Sequence, residues 1–412
     1  MALARTITAT PAETALDARL AGRGGLAAGA LPHRRIEAYH YTDLRTRLTV
    51  VPDWATLAER IAGAKALKML VPGAARLMPS EFGWVLSHVV EGISVGAVEA
   101  EPLLPGGLAG EAEDPLVLLG RRLARDGAEI RVAPGRTPDS LIEIAHAVAA
   151  DGPRLSAQRH RVTVGAGATA TFVEHHGGAG NHLASTVIEL EIEDGATVTW
   201  VKLQDAAAGA THFGSLVTRL AANARLDHLT VTTGAKLARS QAFVRFDGAG
   251  ARAEFDTATL ARDGAHIDTT LVVDHAVPDA TSAERFRSVV GENAAAVVQG
   301  RILVRPEAQK TDARMMTRAL LVADTAESFA KPELEIFADD VQCAHGAASG
   351  KLDQEAVFYL RSRGVPRKVA EAMMVEAFLV EPIEGGDVDG QDPVRQALVA
   401  RLRTALHGGE TE

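Results

Sequence analysis

Between about residues 155 and 322 the chain alternates apolar and polar side chains in short runs. Ile188-Glu189-Leu190-Glu191-Ile192 is the clearest, and Val198/Trp200, Leu229/Val231, Val244/Phe246, Leu271/Val273 and Ile302/Val304 repeat it. A period of two puts every second side chain on one face, the pattern of a half-buried β-strand. Turn residues separate the runs at even intervals. Gly167-Ala168, Gly195-Ala196, Asn223-Ala224 and Gly250-Ala251 lie 28, 28 and 27 positions apart. Gly264-Ala265, Asp279-Ala280 and Asn293-Ala294 continue at about half that interval, and Gly209-Ala210 falls midway through an earlier gap. A fixed repeat of strand and turn predicts a solenoid, in which each coil stacks on the last and buries an apolar interior. Gly and Asn supply the φ > 0 corners that tight coils need. A long β-sandwich also sets short strands between turns, but it gives no reason for the even spacing. The pattern therefore favours a β-helix.

Helical spacing flanks this region. In 53–70, Trp54, Leu57, Ile61 and Ala64 follow i, i+3, i+7 and i+10 behind Asp53, a capping residue type, and Val71-Pro72-Gly73 stops the run. Residues 30–45 read as loop, and 112–127 as a short helix or buried segment. After the β region, Asp353 precedes an apolar-faced run ending at Gly364, and Pro366 suits the first turn of a second helix. That helix carries Val369, Met373, Ala377 and Val380 on one face and is expected to end at Pro382. The Gly/Asp-rich linker 384–392 leads to a third helix over 392–408. Three regions result: 1–150 mixed helical, 151–350 β-helix, and 351–412 helical.

Composition narrows the function. Hydrophobic residues make up 47% but aromatics only 4%, so small aliphatic side chains fill the core. The net charge of −10 lacks the basic face that nucleic-acid binding requires. The N-terminus has no signal-peptide core, and no run of about 18 apolar residues predicts a membrane span. A single cysteine excludes an intrachain disulfide framework and fits a reducing cytoplasm.

Candidate chemistry is sparse. Gly346–Lys351 (GAASGK) imitates a phosphate loop, but three residues rather than four separate its glycines and Leu352 stands where a hydroxyl is needed. No H-E-x-x-H zinc motif occurs. His175, His176, His212, His228, His266 and His275, with His182, read chiefly as solvent-facing polar positions, although residues one coil apart can align into a row. His175 and His176 point to opposite faces of a strand. Cys343 and His345 are a stronger pair, because i and i+2 of an extended segment project to one side. Sulfur and imidazole facing one point suggest a metal, although a small buried cysteine beside a hydrogen-bonded histidine gives the same spacing. Two ligands cannot close a metal site.

The stretch 331–364, "KPELEIFADDVQCAHGAASGKLDQEAVFYLRSRG", resembles the C-terminal signature of the SufB/SufD family of the SUF iron–sulfur cluster assembly system. Residues 299–322 resemble its lead-in. Residues 32–44, "PHRRIEAYHYTDL", are similar to the E-x-W-R/K-Y-T element of the SufD branch, with Tyr39 and His40 replacing the usual Trp and basic residue. Length and the lone cysteine also resemble that branch. The resemblance implies a right-handed parallel β-helix between helical regions and a non-catalytic scaffold that pairs with SufB and binds the SufC ATPase through its C-terminal helices. It implies that Cys343 and His345 meet a nascent cluster or iron at the SufB interface, the remaining ligands coming from the partner. No cofactor would then be held stably by this chain alone. Arg363 lies in the same motif as a charged helix end near the interface. A homodimer in isolation, a β-helix polysaccharide lyase or esterase, and a purely structural pairing protein are the alternatives.

Overall fold

The computed structural model describes residues 8–102, 113–385 and 392–407. Its strands are β1 (Ala75–Ser80), β2 (Gly83–Leu86), β3 (Ile93–Ala97), β4 (Ala128–Val132), β5 (Ile142–His146), β6 (Leu155–Val164), β7 (Thr169–His176), β8 (Leu183–Ile192), β9 (Thr197–Gln204), β10 (Thr211–Leu220), β11 (Arg225–Thr232), β12 (Leu237–Phe246), β13 (Arg252–Ala261), β14 (His266–His275), β15 (Thr281–Val290), β16 (Ala295–Val304), β17 (Asp312–Leu321), β18 (Glu327–Ile336) and β19 (Gln342–Gly350). Even-numbered strands from β4 and odd-numbered strands from β5 form two facing sheets, each strand parallel to the one two places on. This is a parallel β-solenoid.

The rhythm of turn residues is the coil repeat. Gly167, Gly195, Asn223 and Gly250 occupy one corner of successive coils with φ between 55° and 74°, and Asp279 takes the same corner at 60°. Gly264 and Asn293 occupy the opposite corner, which explains the half interval. Inward positions fill a continuous core that includes Ile188, Leu190, Ile192, Trp200, Val244, Phe246, Val273, Phe286 and Ile302. Leu229 and Val231 belong to the outer face instead, where they pack beneath the C-terminal helices.

The helices are α1 (Pro11–Arg19), α2 (Leu44–Arg47), α3 (Leu57–Ala66), α4 (Pro115–Leu123), α5 (Gln354–Ser362), α6 (Arg367–Glu384) and α7 (Pro393–His407). Helix α3 begins later than the spacing predicts. Thr56 and Glu59 form a reciprocal capping box, while the Asp53 carbonyl accepts from Leu155 N at 2.7 Å and the segment before the helix joins the sheet. Pro382 does not end α6; it sits in the last turn, where the lost N–H costs a single bond. Most of the linker 384–392 lies outside the described residues. Leu379, Ile383, Leu398 and Leu402 seat α6 and α7 on Val201, Leu203, Val231 and Val289 of the odd-numbered sheet.

The segment 37–42 straps the outside of the even-numbered sheet. Tyr39 is fully buried, donates its hydroxyl to Asp114 at 2.8 Å, and lies 4.1 Å beneath the Arg239 guanidinium. A tyrosine suits this position because a polar partner meets its hydroxyl. Arg239 pairs with Asp268 at 2.5 Å and donates to Ala38 O at 3.0 Å, while Thr42 donates to Asp268. Tyr41 stacks on Phe329 at 5.1 Å, and Glu37 pairs with Lys331 at 2.5 Å, so the strap reaches β18.

Arg239 and Asp268 are both fully buried. Asp268→Ala strands a guanidinium without its counter-charge, and a loss of about 3–5 kcal/mol is expected in urea unfolding. An unchanged midpoint contradicts this assignment.

Candidate functional site

The stack ends at β18 and β19. Strand β19 runs parallel to β17, with Cys343 beside Ala313 and His345 beside Met315. Ala313 and Met315 are buried inward residues of the penultimate coil. Cys343 and His345 therefore project from the inward side of a coil on which nothing stacks among the described residues. Cys343 is half-buried and His345 exposed. The expected i, i+2 projection holds, and the thiol is not sealed in the core. Burial pushes the thiol pKa up, and the charges of Asp312 and Glu284 add to that, against a backbone hydrogen bond with Ala313.

Among the described residues no three His, Cys, Asp or Glu side chains are arranged to hold a metal ion. A thiol and an imidazole stand together on a free sheet edge. Ile336 at the end of β18 and Phe337 just after it are exposed, Phe337 at 62%. Arg363 caps α5 and lies over Tyr359 at 5.3 Å, with a hydrogen bond of 3.3 Å to its hydroxyl. Phe358, Tyr359, Val369 and Met373 of α5 and α6 are all exposed.

Gly346 to Gly350 form the second half of β19, extended backbone rather than a phosphate-wrapping loop. One G-x-S-x-G occurs, Gly92-Ile93-Ser94-Val95-Gly96, but its serine lies in the antiparallel edge strand β3, which starts just after the turn at Gly92, and not on a strand-to-helix turn.

The histidines overturn the solvent-facing expectation. His175, His176, His212, His228, His266 and His275 are all buried, and only His182 is partly open. His176 points into the lumen and His175 outward, as strand alternation requires. His146 stacks on His176 at 4.5 Å and His176 packs at a tilt against His212 at 4.3 Å, while His160 meets Trp84 edge-on at 4.6 Å. Glu174 accepts from Trp200 at 3.2 Å, is bonded to His176 Nε2 at 2.6 Å, and faces Lys202 Nζ at 3.6 Å. Burial first, then repulsion from Lys202 and from the neighbouring rings were they charged, holds His146, His176 and His212 well below the usual imidazole range. These rings are neutral. His175 differs: burial would lower it, but hydrogen bonds to Asp205 at 3.1 Å and Glu143 at 2.9 Å outweigh that and raise it.

A parallel β-solenoid with an open terminal coil defines the class. Residues 146–378 match the family described as SUF system FeS cluster assembly, SufBD core domain, and the chain belongs to it. The chain is 28% identical to the iron–sulfur cluster assembly protein SufD of Escherichia coli strain K12 over 92% of its length and 90% of that protein. It is 34% identical to an iron–sulfur cluster assembly SufBD family protein of Mycobacterium tuberculosis, over 58% of this chain and 61% of that one. A chloroplastic protein of Arabidopsis thaliana, ABCI7, is 29% identical over 50% of the chain and 43% of its own length.

The neutral histidines make stability depend on pH. Burial lowers His160 and His228 to about 4 and His275 to about 3. Each group's native-state pKa lies below its unfolded value near 6.5, so its contribution is complete above pH 6.5. It is lost as pH falls toward 4, at about 1.4 kcal/mol per pH unit per group. The urea midpoint is expected to fall steeply across that window, and His228→Gln to flatten the slope by about one proton. A slope indifferent to His228→Gln counts against a neutral buried imidazole.

Proposed function

We propose that this chain is a non-catalytic scaffold subunit of iron–sulfur cluster assembly, paired with SufB through its terminal coil. Cys343 and His345 supply part of the ligand set for a nascent cluster or its iron. The observation that carries the reading is that both donors sit on the last, uncovered coil. Iron–sulfur clusters take thiolates at several corners, with imidazole as an occasional substitute, so two donors call for completion by a second polypeptide. The free edges of β18 and β19 offer unpaired backbone groups to an incoming strand, and Phe337 and Ile336 offer apolar area beside them.

SufC docks on the exposed face of α5 and α6 within residues 353–382, where Phe358 is 70% and Tyr359 58% exposed. Nucleotide-driven movement of SufC shifts these helices, and through them the edge that carries Cys343. No helix of the described residues is long and apolar enough to cross a membrane, in keeping with a role in the cytoplasm. The same free edges would allow a homodimer when SufB is absent.

Co-expression with SufB and SufC tests the site. Cys343→Ser and His345→Ala are each expected to lower iron and acid-labile sulfide several-fold while the subunits still co-purify; an undiminished cluster yield would remove the assignment. Phe358→Asp combined with Met373→Asp should weaken SufC binding by roughly tenfold or more and leave SufB pairing intact. Retained SufC affinity would move the docking surface elsewhere.

A further inference from the structure

Inside the solenoid, one coil below β17, stands a buried carboxyl with no ion-pair partner among the described residues. Ser282, Glu284 and Phe286 are inward positions of β15, and the ladders run Ser282–Ala313–Cys343 and Glu284–Met315–His345. Glu284 is fully buried among apolar neighbours such as Phe286 and Met315. Neither of its oxygens makes a hydrogen bond of ordinary geometry among the described residues, the Ser282 hydroxyl being the one side-chain donor that approaches it. A partnerless buried carboxyl is costly to a purely structural wall, which an apolar side chain would complete better.

Its surroundings lead toward the open coil. Ala313, between Ser282 and Cys343, contributes only a methyl group. Met315, between Glu284 and His345, turns across the lumen against Gly300, where an added Cβ would lie 2.3 Å from its Sδ. Glycine at 300 is what lets the thioether lie there. Burial raises Glu284 to about 8, opposed by Ser282 and Arg285, so the carboxyl is stored mainly in its neutral form at pH 7. Ser282 is itself 3.0 Å from His275 Nε2, and Arg285 turns outward to Asp256 and Glu254 at 2.6 and 2.7 Å. On the side of the open coil, Asp312, Cys343 and His345 are the titratable groups. Once ionised, Glu284 raises the Cys343 thiol pKa, so the two groups are electrostatically coupled.

We propose that Glu284 is a positioning residue for the Cys343–His345 pair: a carboxyl kept uncharged in the lumen, which releases its proton when a divalent cation reaches the open coil and then faces that cation as a carboxylate. The inference rests on the reading of Cys343 and His345 given above. The step balances without redox chemistry. One cation binds the Cys343 sulfur, the thiol and the carboxyl each lose a proton to solvent, and two positive charges meet two negative ones.

The test titrates the full chain, alone and paired with SufB, with Co²⁺ near pH 7 under reducing conditions. The thiolate-to-cobalt absorption band and the protons released are followed together. Wild-type protein is expected to release about two protons per thiolate-bound ion, and Glu284→Gln, which imitates the neutral form, about one, with roughly tenfold weaker binding. Glu284→Met fits the apolar wall and carries the same expectation should the Gln variant not fold. A wild-type proton count and affinity in either variant overturns the role of Glu284 alone. A wild-type protein without the band, indistinguishable from Cys343→Ser, overturns the reading of the pair and this inference with it.

Discussion

A parallel stack of coils satisfies each strand's backbone with the strand above and the strand below, and therefore cannot satisfy its own last rung. The two ends of this molecule meet that constraint differently. At the first end the chain doubles back: β2 lies antiparallel on β1 and β3 on β4, and Trp84 from β2 plugs the lumen with 7% of its surface exposed. At the other end β18 and β19 simply stop, with their outer edges free and inward side chains uncovered among the described residues. Exposed edges are a liability that soluble proteins ordinarily shield. An unshielded one that also carries the chain's only thiol is the feature on which the proposed pairing with a second chain rests.

The interior is not uniform along the axis. Toward the open end it is mainly Val, Ile, Leu, Phe, Ala and Met, interrupted by His275, Ser282 and Glu284, whereas the early coils enclose Glu174, His176, Lys202, Gln204 and His212 together. Gly214 belongs to that design, since an added Cβ would fall 1.9 Å from Lys202 Nζ. The Glu174–Lys202 pair and the stacked neutral rings keep the charge balance of the lumen near zero, which is how so polar an interior remains compatible with folding. His146, His212 and Gln204 retain ring or amide atoms without a protein partner, the usual circumstance in which buried water completes a network.

How much of this the chain discloses in advance depends on which interaction decides each residue. Strand alternation and corner spacing are local properties, so the solenoid was legible from Ile188–Ile192 and from the Gly-Ala and Asn-Ala repeats. Position i and i+2 in an extended strand is equally local, and it placed Cys343 and His345 together. The burial of the histidines was not legible from residue type, since histidine is ordinarily a surface residue. Parity held the missing signal: if Val198 and Trp200 face inward, so must Lys202 and Gln204, and if Phe172 does, so must Glu174 and His176. Glu284 follows from the same rule through Phe286. The partners of Tyr39 were beyond reach because Asp114 and Arg239 are 75 and 200 positions away in the chain.

An open last coil must also hold its shape before anything covers it. Its backbone is bonded on one side only, so its order has to come from outside the lumen. The strap supplies that on one flank, where Tyr41 stacks on Phe329 and Glu37 grips Lys331, both on β18. Arg239 and Gln299 both donate to the carbonyl of Ala38, tying the strap to β12 and β16 beneath. On the other flank Lys310 and Asp340 close the corner that leads into β19, and the Lys310 N–H donates to the Asp340 carbonyl at 2.6 Å. Lys310 accepts φ of 66° to do so, a left-handed conformation that a lysine adopts only where the surroundings impose it. The donors on β19 are thus presented on a braced coil, with outward faces anchored and the inward face and edge left free. Bracing of this kind would lower the ordering cost of the proposed pairing, because the rung to be extended is already in place.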